Sequence, residues 1–95
     1  MLGEEPQFVP ARVNLAAAYV RQERMDEAIA QYREAIRLRP GYVKARYNLA
    51  ELLAETGRTA EALDEYRVLQ AMMPNDRALA ARMAELESRL RRVAP

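Results

Sequence analysis

VPARVNLA at residues 9–16 returns as VKARYNLA at residues 43–50, 34 positions further on. The coincidence continues outward from this stretch. Arg24/Arg58, Glu27/Glu61, Ala28/Ala62, Tyr32/Tyr66, Arg33/Arg67 and Pro40/Pro74 are identical pairs at the same interval, so twelve of 34 positions match. Pro6, Pro40 and Pro74 mark the period itself. A fixed period of this length is the mark of stacked helix–turn–helix units, each too small to bury its apolar face alone. The sequence therefore divides into an N-terminal extension (1–8, the end of a preceding unit), one repeat at 9–42, a second at 43–76, and a last helix with a basic tail at 77–95.

Within each unit the apolar spacing predicts two amphipathic helices. Leu15, Ala16 and Tyr19 share one face of the first helix, as do Leu49, Ala50 and Leu53 in the second copy. Ala28, Ile29, Tyr32, Ala35, Ile36 and Leu38 form a broad stripe on the next helix, repeated by Ala62, Leu63, Tyr66 and Leu69. Ala16, Ala50 and Ala84, with Ala28 and Ala62, are the short side chains that let paired helices approach closely. Pro10 suits a first helical turn, because the amide it lacks would be unpaired there. Gly57 supplies the left-handed residue that ends a helix, whereas Glu23 at the equivalent place predicts a different or more strained turn. Pro40-Gly41 and Pro74-Asn75 stop the second helices, and Asn75 or Asp76 is expected to cap the last one.

Composition removes whole classes of chemistry. The 95 residues include no Cys, His or Trp, so thiolate nucleophiles, imidazole bases and most zinc sites are excluded. Fifteen basic residues stand against fourteen acidic ones, and this near balance gives little support for nucleic-acid binding. Arg89, Arg91 and Arg92 are the only basic cluster of note. No stretch reaches the length of a membrane span. No nucleophile–base pair or phosphate-cradling glycine loop is present, so the reading is of a non-enzyme without cofactor or metal. A soluble, cytoplasmic chain is the expectation.

The pattern resembles the tetratricopeptide repeat. Leu15, Ala16, Tyr19, Ala28, Tyr32, Ala35 and Pro40 carry the resemblance in the first unit, and Leu49, Ala50, Gly57, Ala62, Tyr66 and Pro74 in the second. Arg12 and Arg46 depart from it, standing where the family has an early aromatic residue. The resemblance implies an all-α, right-handed α-solenoid of antiparallel helix pairs, with two full repeats and a polar C-terminal capping helix. It also implies a concave groove lined by the first helix of each unit, used as a scaffold for protein binding.

Carried onto this chain, the groove positions are Val13, Asn14, Ala17 and Arg21 in the first unit, Lys44, Tyr47, Asn48 and Glu51 in the second, and Arg82 and Arg89 in the last helix. Asn14 and Asn48 are the leading pair, since a carboxamide offers a donor and an acceptor to a peptide backbone. They resemble the asparagine ladder of the sugar-transferase superhelix; the alternative is that they simply face water. Lys44 and Arg82 resemble part of a carboxylate clamp and favour an acidic or C-terminal segment. Glu51 and Glu55, one turn apart, read as solvated acids. The expected function is a protein–protein interaction module holding an extended peptide. The alternative is a structural unit that forms homo-oligomers through an unpaired terminal face, where Tyr19 and nearby alanines stand partly exposed.

Overall fold

A computed structural model describes residues 8–93, in which five α-helices and no strands are found. They are α1 (Val9–Arg21), α2 (Met25–Leu38), α3 (Val43–Glu55), α4 (Thr59–Met72) and α5 (Arg77–Val93). The boundaries follow the 34-residue period, since α1 and α3 begin at Val9 and Val43, and α2 and α4 at Met25 and Thr59. The expectation for residues 1–7 and for the end of the tail lies outside the described residues. The chain divides into two compact units, Met1–Leu49 and Ala50–Pro95, with the division falling inside α3.

The turns repeat atom for atom. After α1, Glu23 N donates to Val20 O at 2.9 Å and Arg24 N to Tyr19 O at 2.9 Å. After α3, Gly57 N donates to Ala54 O at 3.2 Å and Arg58 N to Leu53 O at 2.8 Å. These are Schellman closures, which need a left-handed residue at the centre. Gly57 sits there at φ 84 and Glu23 at φ 61. The Glu23 turn is thus strained, as the sequence predicts, but it is not different in form. Pro10 occupies the first turn of α1. Asp76, rather than Asn75, caps α5: its Oδ1 accepts from Leu79 N at 3.0 Å.

In the first unit the core consists of Val9, Val13 and Ala16 from α1, Ala28, Ile29, Tyr32 and Ala35 from α2, and Ala45 and Leu49 from α3. In the second it consists of Leu52, Leu53 and Ala54 beside Ala50, Leu63, Tyr66 and Leu69 beside Ala62, and Leu79, Met83 and Leu86 from α5. The alanines expected at close crossings behave as such at four positions, with Ala16, Ala28, Ala50 and Ala62 all 0% exposed. Ala84 does not: it is exposed, because no second helix follows α5 among the described residues.

Leu15 requires a second correction. Expected in the core beside Ala16, it is 43% exposed, while its repeat partner Leu49 is 1% exposed. Ala11 and Ala45 differ in the same sense, the first exposed and the second buried. The stripe of α1 is therefore narrower than its sequence suggests. It is carried by Val9, Val13 and Ala16, at i, i+4 and i+7. Tyr19 is half-buried, with the Arg24 guanidinium 4.8 Å from its ring centroid.

Candidate functional face of α1 and α3

In the first unit, α1 exposes Pro10, Asn14 and Arg21, with Ala17 half-buried, at i, i+4, i+7 and i+11 on one side of the helix. Val13 does not belong with them. At 2% exposure it is closed to a ligand, because the core stripe of α1 rotates through it. The first half of α3 exposes Lys44 and Tyr47, the ring of Tyr47 being 43% exposed between buried Ala45 and Leu49. A large aromatic held open on an otherwise ordered helix is a typical contact residue, since it offers area at little entropic cost.

The two asparagines are not equivalent. Asn14 is exposed, whereas Asn48 is half-buried and hydrogen-bonded to Tyr32 of α2. Burial pushes the Tyr32 phenol above its ordinary range, and the Asn48 carboxamide, donating to the phenol oxygen, pulls the other way. Asn48 therefore ties α3 to α2 with part of its hydrogen-bonding capacity. Arg12, in the family's aromatic position, lies half-buried and donates from Nη1 to Gln31 Oε1 at 2.9 Å.

The second unit holds Glu51, Arg82 and Arg89, and here the structure brings together residues the sequence had pictured as facing a ligand. Arg82 grips Glu51 with a two-pronged fork, Nε to Oε2 at 3.1 Å and Nη2 to Oε1 at 3.2 Å. Its third nitrogen, Nη1, donates to Glu85 Oε1 at 3.0 Å, and Arg89 Nη2 lies 3.6 Å from Glu85 Oε2. The hydroxyl of Tyr66, whose side chain is fully buried, donates to Glu51 Oε2. The bond to Glu51 is the main reason that the Arg82 guanidinium is held more firmly protonated than usual, with burial opposing.

Two readings are corrected by this network. Glu51 is not a solvated acid but a carboxylate bound by an arginine and a tyrosine. Arg82 is not an open clamp residue, because Glu51 and Glu85 already occupy its donors. The partnership joins residues 31 positions apart, and the charges alone did not announce it. A signal existed in Tyr66, since a tyrosine in a predicted core stripe must find an acceptor for its hydroxyl. Among the described residues no cluster of acidic side chains could hold a metal ion, and no helix is long and apolar enough to cross a membrane.

The repeated helix pairs, the Schellman turns and the small-residue crossings define a helical-repeat protein. The tetratricopeptide repeat family model matches residues 13–77, and the chain belongs to that family. Such repeats generally mediate protein–protein interaction and are typically non-catalytic. No curated protein matches the chain.

Proposed function

We propose that the chain is a cytoplasmic protein-binding module that holds an extended segment of its partner on the α1 and α3 face of the first unit. The observation that carries this reading is Tyr47, an aromatic ring left 43% exposed on a helix whose neighbouring apolar residues are closed. Asn14 supplies a carboxamide for the partner's backbone. Arg21 and Lys44, both exposed cations, favour an acidic segment. Capturing partners from a cell lysate and measuring the affinity of one purified partner tests it. Asn14→Ala combined with Tyr47→Ala should weaken that partner at least tenfold, about 1.4 kcal/mol, without unfolding the chain. An unchanged affinity would remove the α1 and α3 face from consideration.

A second reading, self-assembly, is favoured by a separate observation. Phe8, just before α1, is 39% exposed and Leu15 on α1 is 43% exposed, with exposed Ala11 between them, whereas Ala45 and Leu49, the α3 equivalents of Ala11 and Leu15, are closed. Among the described residues nothing covers Ala11 and Leu15 on α1 as Ala45 and Leu49 are covered on α3, and in this reading a second copy supplies that cover. Light scattering should show a mass that rises with concentration and that Leu15→Arg returns to the monomer. A monomer at high micromolar concentration excludes this reading.

A further inference from the structure

Helix α1 carries two apolar stripes, of which one is closed among the described residues. Val9, Val13 and Ala16 form the closed stripe. The other runs through Phe8, Ala11, Leu15 and Ala18, spaced i, i+3, i+7 and i+10. That interval is the narrow seam by which one helix packs along another. Phe8, Ala11 and Leu15 are exposed and Ala18 is half-buried. Phe8 stands at the N-cap with a turn-like φ of -90 and ψ of 5, so the register of α1 extends to it.

The second repeat shows how such a seam is closed. Its counterparts on α3 are Tyr42, Ala45 and Leu49, with Ala45 and Leu49 closed and Tyr42 half-buried. Tyr32 of α2 and Asn48 of α3 are hydrogen-bonded across the short turn that joins these helices. A bond so placed means that α2 runs antiparallel beside α3.

On α1 the seam holds an open hollow of about 240 Å³, lined by Phe8, Ala11, Arg12 and Leu15, with Gln31 of α2 at its edge. Residues at i, i+3, i+4 and i+7 are the four that form a hole for one side chain of a facing helix. Ala11, the smallest of the four, leaves the room for it. Large and small side chains also alternate along the seam. Laid antiparallel on its own copy, with Leu15 over Ala11, the seam pairs Phe8 with Ala18 and Leu15 with Ala11, twice each. Laid parallel, Phe8 would meet Phe8 and Ala11 would meet Ala11, overfilling and underfilling the space in turn. Charge does not oppose the antiparallel pair. Between Phe8 and Ala18 the one charged residue is Arg12, whose Nη1 is turned aside to Gln31 Oε1 at 2.9 Å. A surface that meets its own copy must avoid like charges face to face, and this one does.

We infer that a second copy docks antiparallel on α1, in a two-fold pair where Leu15 of each copy enters the hole between Phe8, Ala11, Arg12 and Leu15 of the other. The inference rests on the self-assembly reading and deepens it by naming the facing surface, its direction and its register. One helix face makes an interface at the small end of the range, so the mass should rise gradually with concentration.

Exchanging large for small tests this on the full chain by sedimentation equilibrium. Ala11→Leu sets leucine against leucine and should weaken the dimer about tenfold or more, although it makes the surface more apolar. Leu15→Ala empties the hole and should weaken the dimer too. Ala11→Leu combined with Leu15→Ala restores a large side chain opposite a small one, and association should return to within about threefold of the parent. Both positions are exposed, so the fold tolerates these changes, and circular dichroism checks that it does. Register is read separately, since the chain has no cysteine of its own. When Ala11→Cys and Leu15→Cys chains are mixed in a thiol–disulfide buffer, the mixed disulfide should dominate over both symmetric ones. A dimer strengthened by Ala11→Leu, or one in which symmetric disulfides predominate, would overturn the inference and leave self-assembly standing. A chain that stays monomeric at high micromolar concentration would overturn both and give the seam to a different polypeptide.

Discussion

Single residues show how far identical chemistry diverges with surroundings. Leu15 and Leu49 occupy one register, yet one is 43% exposed and the other 1%. Leu49→Ala should cost about 2–5 kcal/mol through lost burial and a cavity. Leu15→Ala should fall within about 0.5 kcal/mol of the parent, as surface substitutions do. Urea unfolding of the two variants checks both, and equal losses would contradict the burial pattern. Glu23 makes the opposite case, a residue whose backbone rather than side chain is at fault. It holds φ 61 in a closure that Gly57 makes at φ 84. A left-handed L-residue costs about 1–2 kcal/mol, while glycine loosens the unfolded chain by about 0.4–1 kcal/mol. Glu23→Gly should therefore raise stability by roughly 0.5–1 kcal/mol, read as a higher urea midpoint with an unchanged slope.

At the scale of helices, the period and the apolar spacing fixed where each element starts and stops, because caps, prolines and stripes are local properties of the chain. Contacts between elements were less legible. Ala84 repeats Ala16 and Ala50 in sequence, but no sequence rule says whether a helix will cover it. Glu51 read as a solvated acid because its partners lie 15 and 31 positions away, at Tyr66 and Arg82. Glu51→Ala should leave the buried Tyr66 hydroxyl without its acceptor and cost about 1–3 kcal/mol. Glu51→Gln, which can still accept from Tyr66 but loses the charged fork, should cost less, and thermal unfolding of the two variants orders them. The ion pairs at the two ends of α2 add a pH dependence. Hydrogen bonds from Arg24 and Arg37, aided by their charge, hold the Glu27 and Glu34 carboxyls below their ordinary 4.5. A native pKa below the unfolded one means that the unfolded state binds more protons. The contribution is therefore in place above pH 4.5 and is lost as pH falls through the lowered native values. Both pairs are exposed, so the loss should be small and should shrink further in high salt. Acid titration of Arg24→Gln against the parent isolates the Glu27 share.

For the whole chain, burial is concentrated in the middle helix. Ala45, Leu49, Ala50, Leu52, Leu53 and Ala54 of α3 are all closed, while α1 contributes three closed residues and α5 another three. In repeat proteins stability is close to a sum of terms within and between neighbours, so the outer helices open first. Hydrogen exchange should accordingly be slowest at the amides of Leu49–Ala54 and faster throughout α1 and in α5 beyond Leu86. Protection of α1 equal to that of α3 would refute this ordering. The consequence for function is direct, because Asn14 and Arg21 stand on α1. A partner that engages them must hold α1 in its folded form, and it binds the folded chain in preference to the open one. Saturation with partner should then slow exchange in α1 far more than in α3, which is already protected. A partner that slows exchange elsewhere and leaves α1 unchanged would show that α1 is not where it is held.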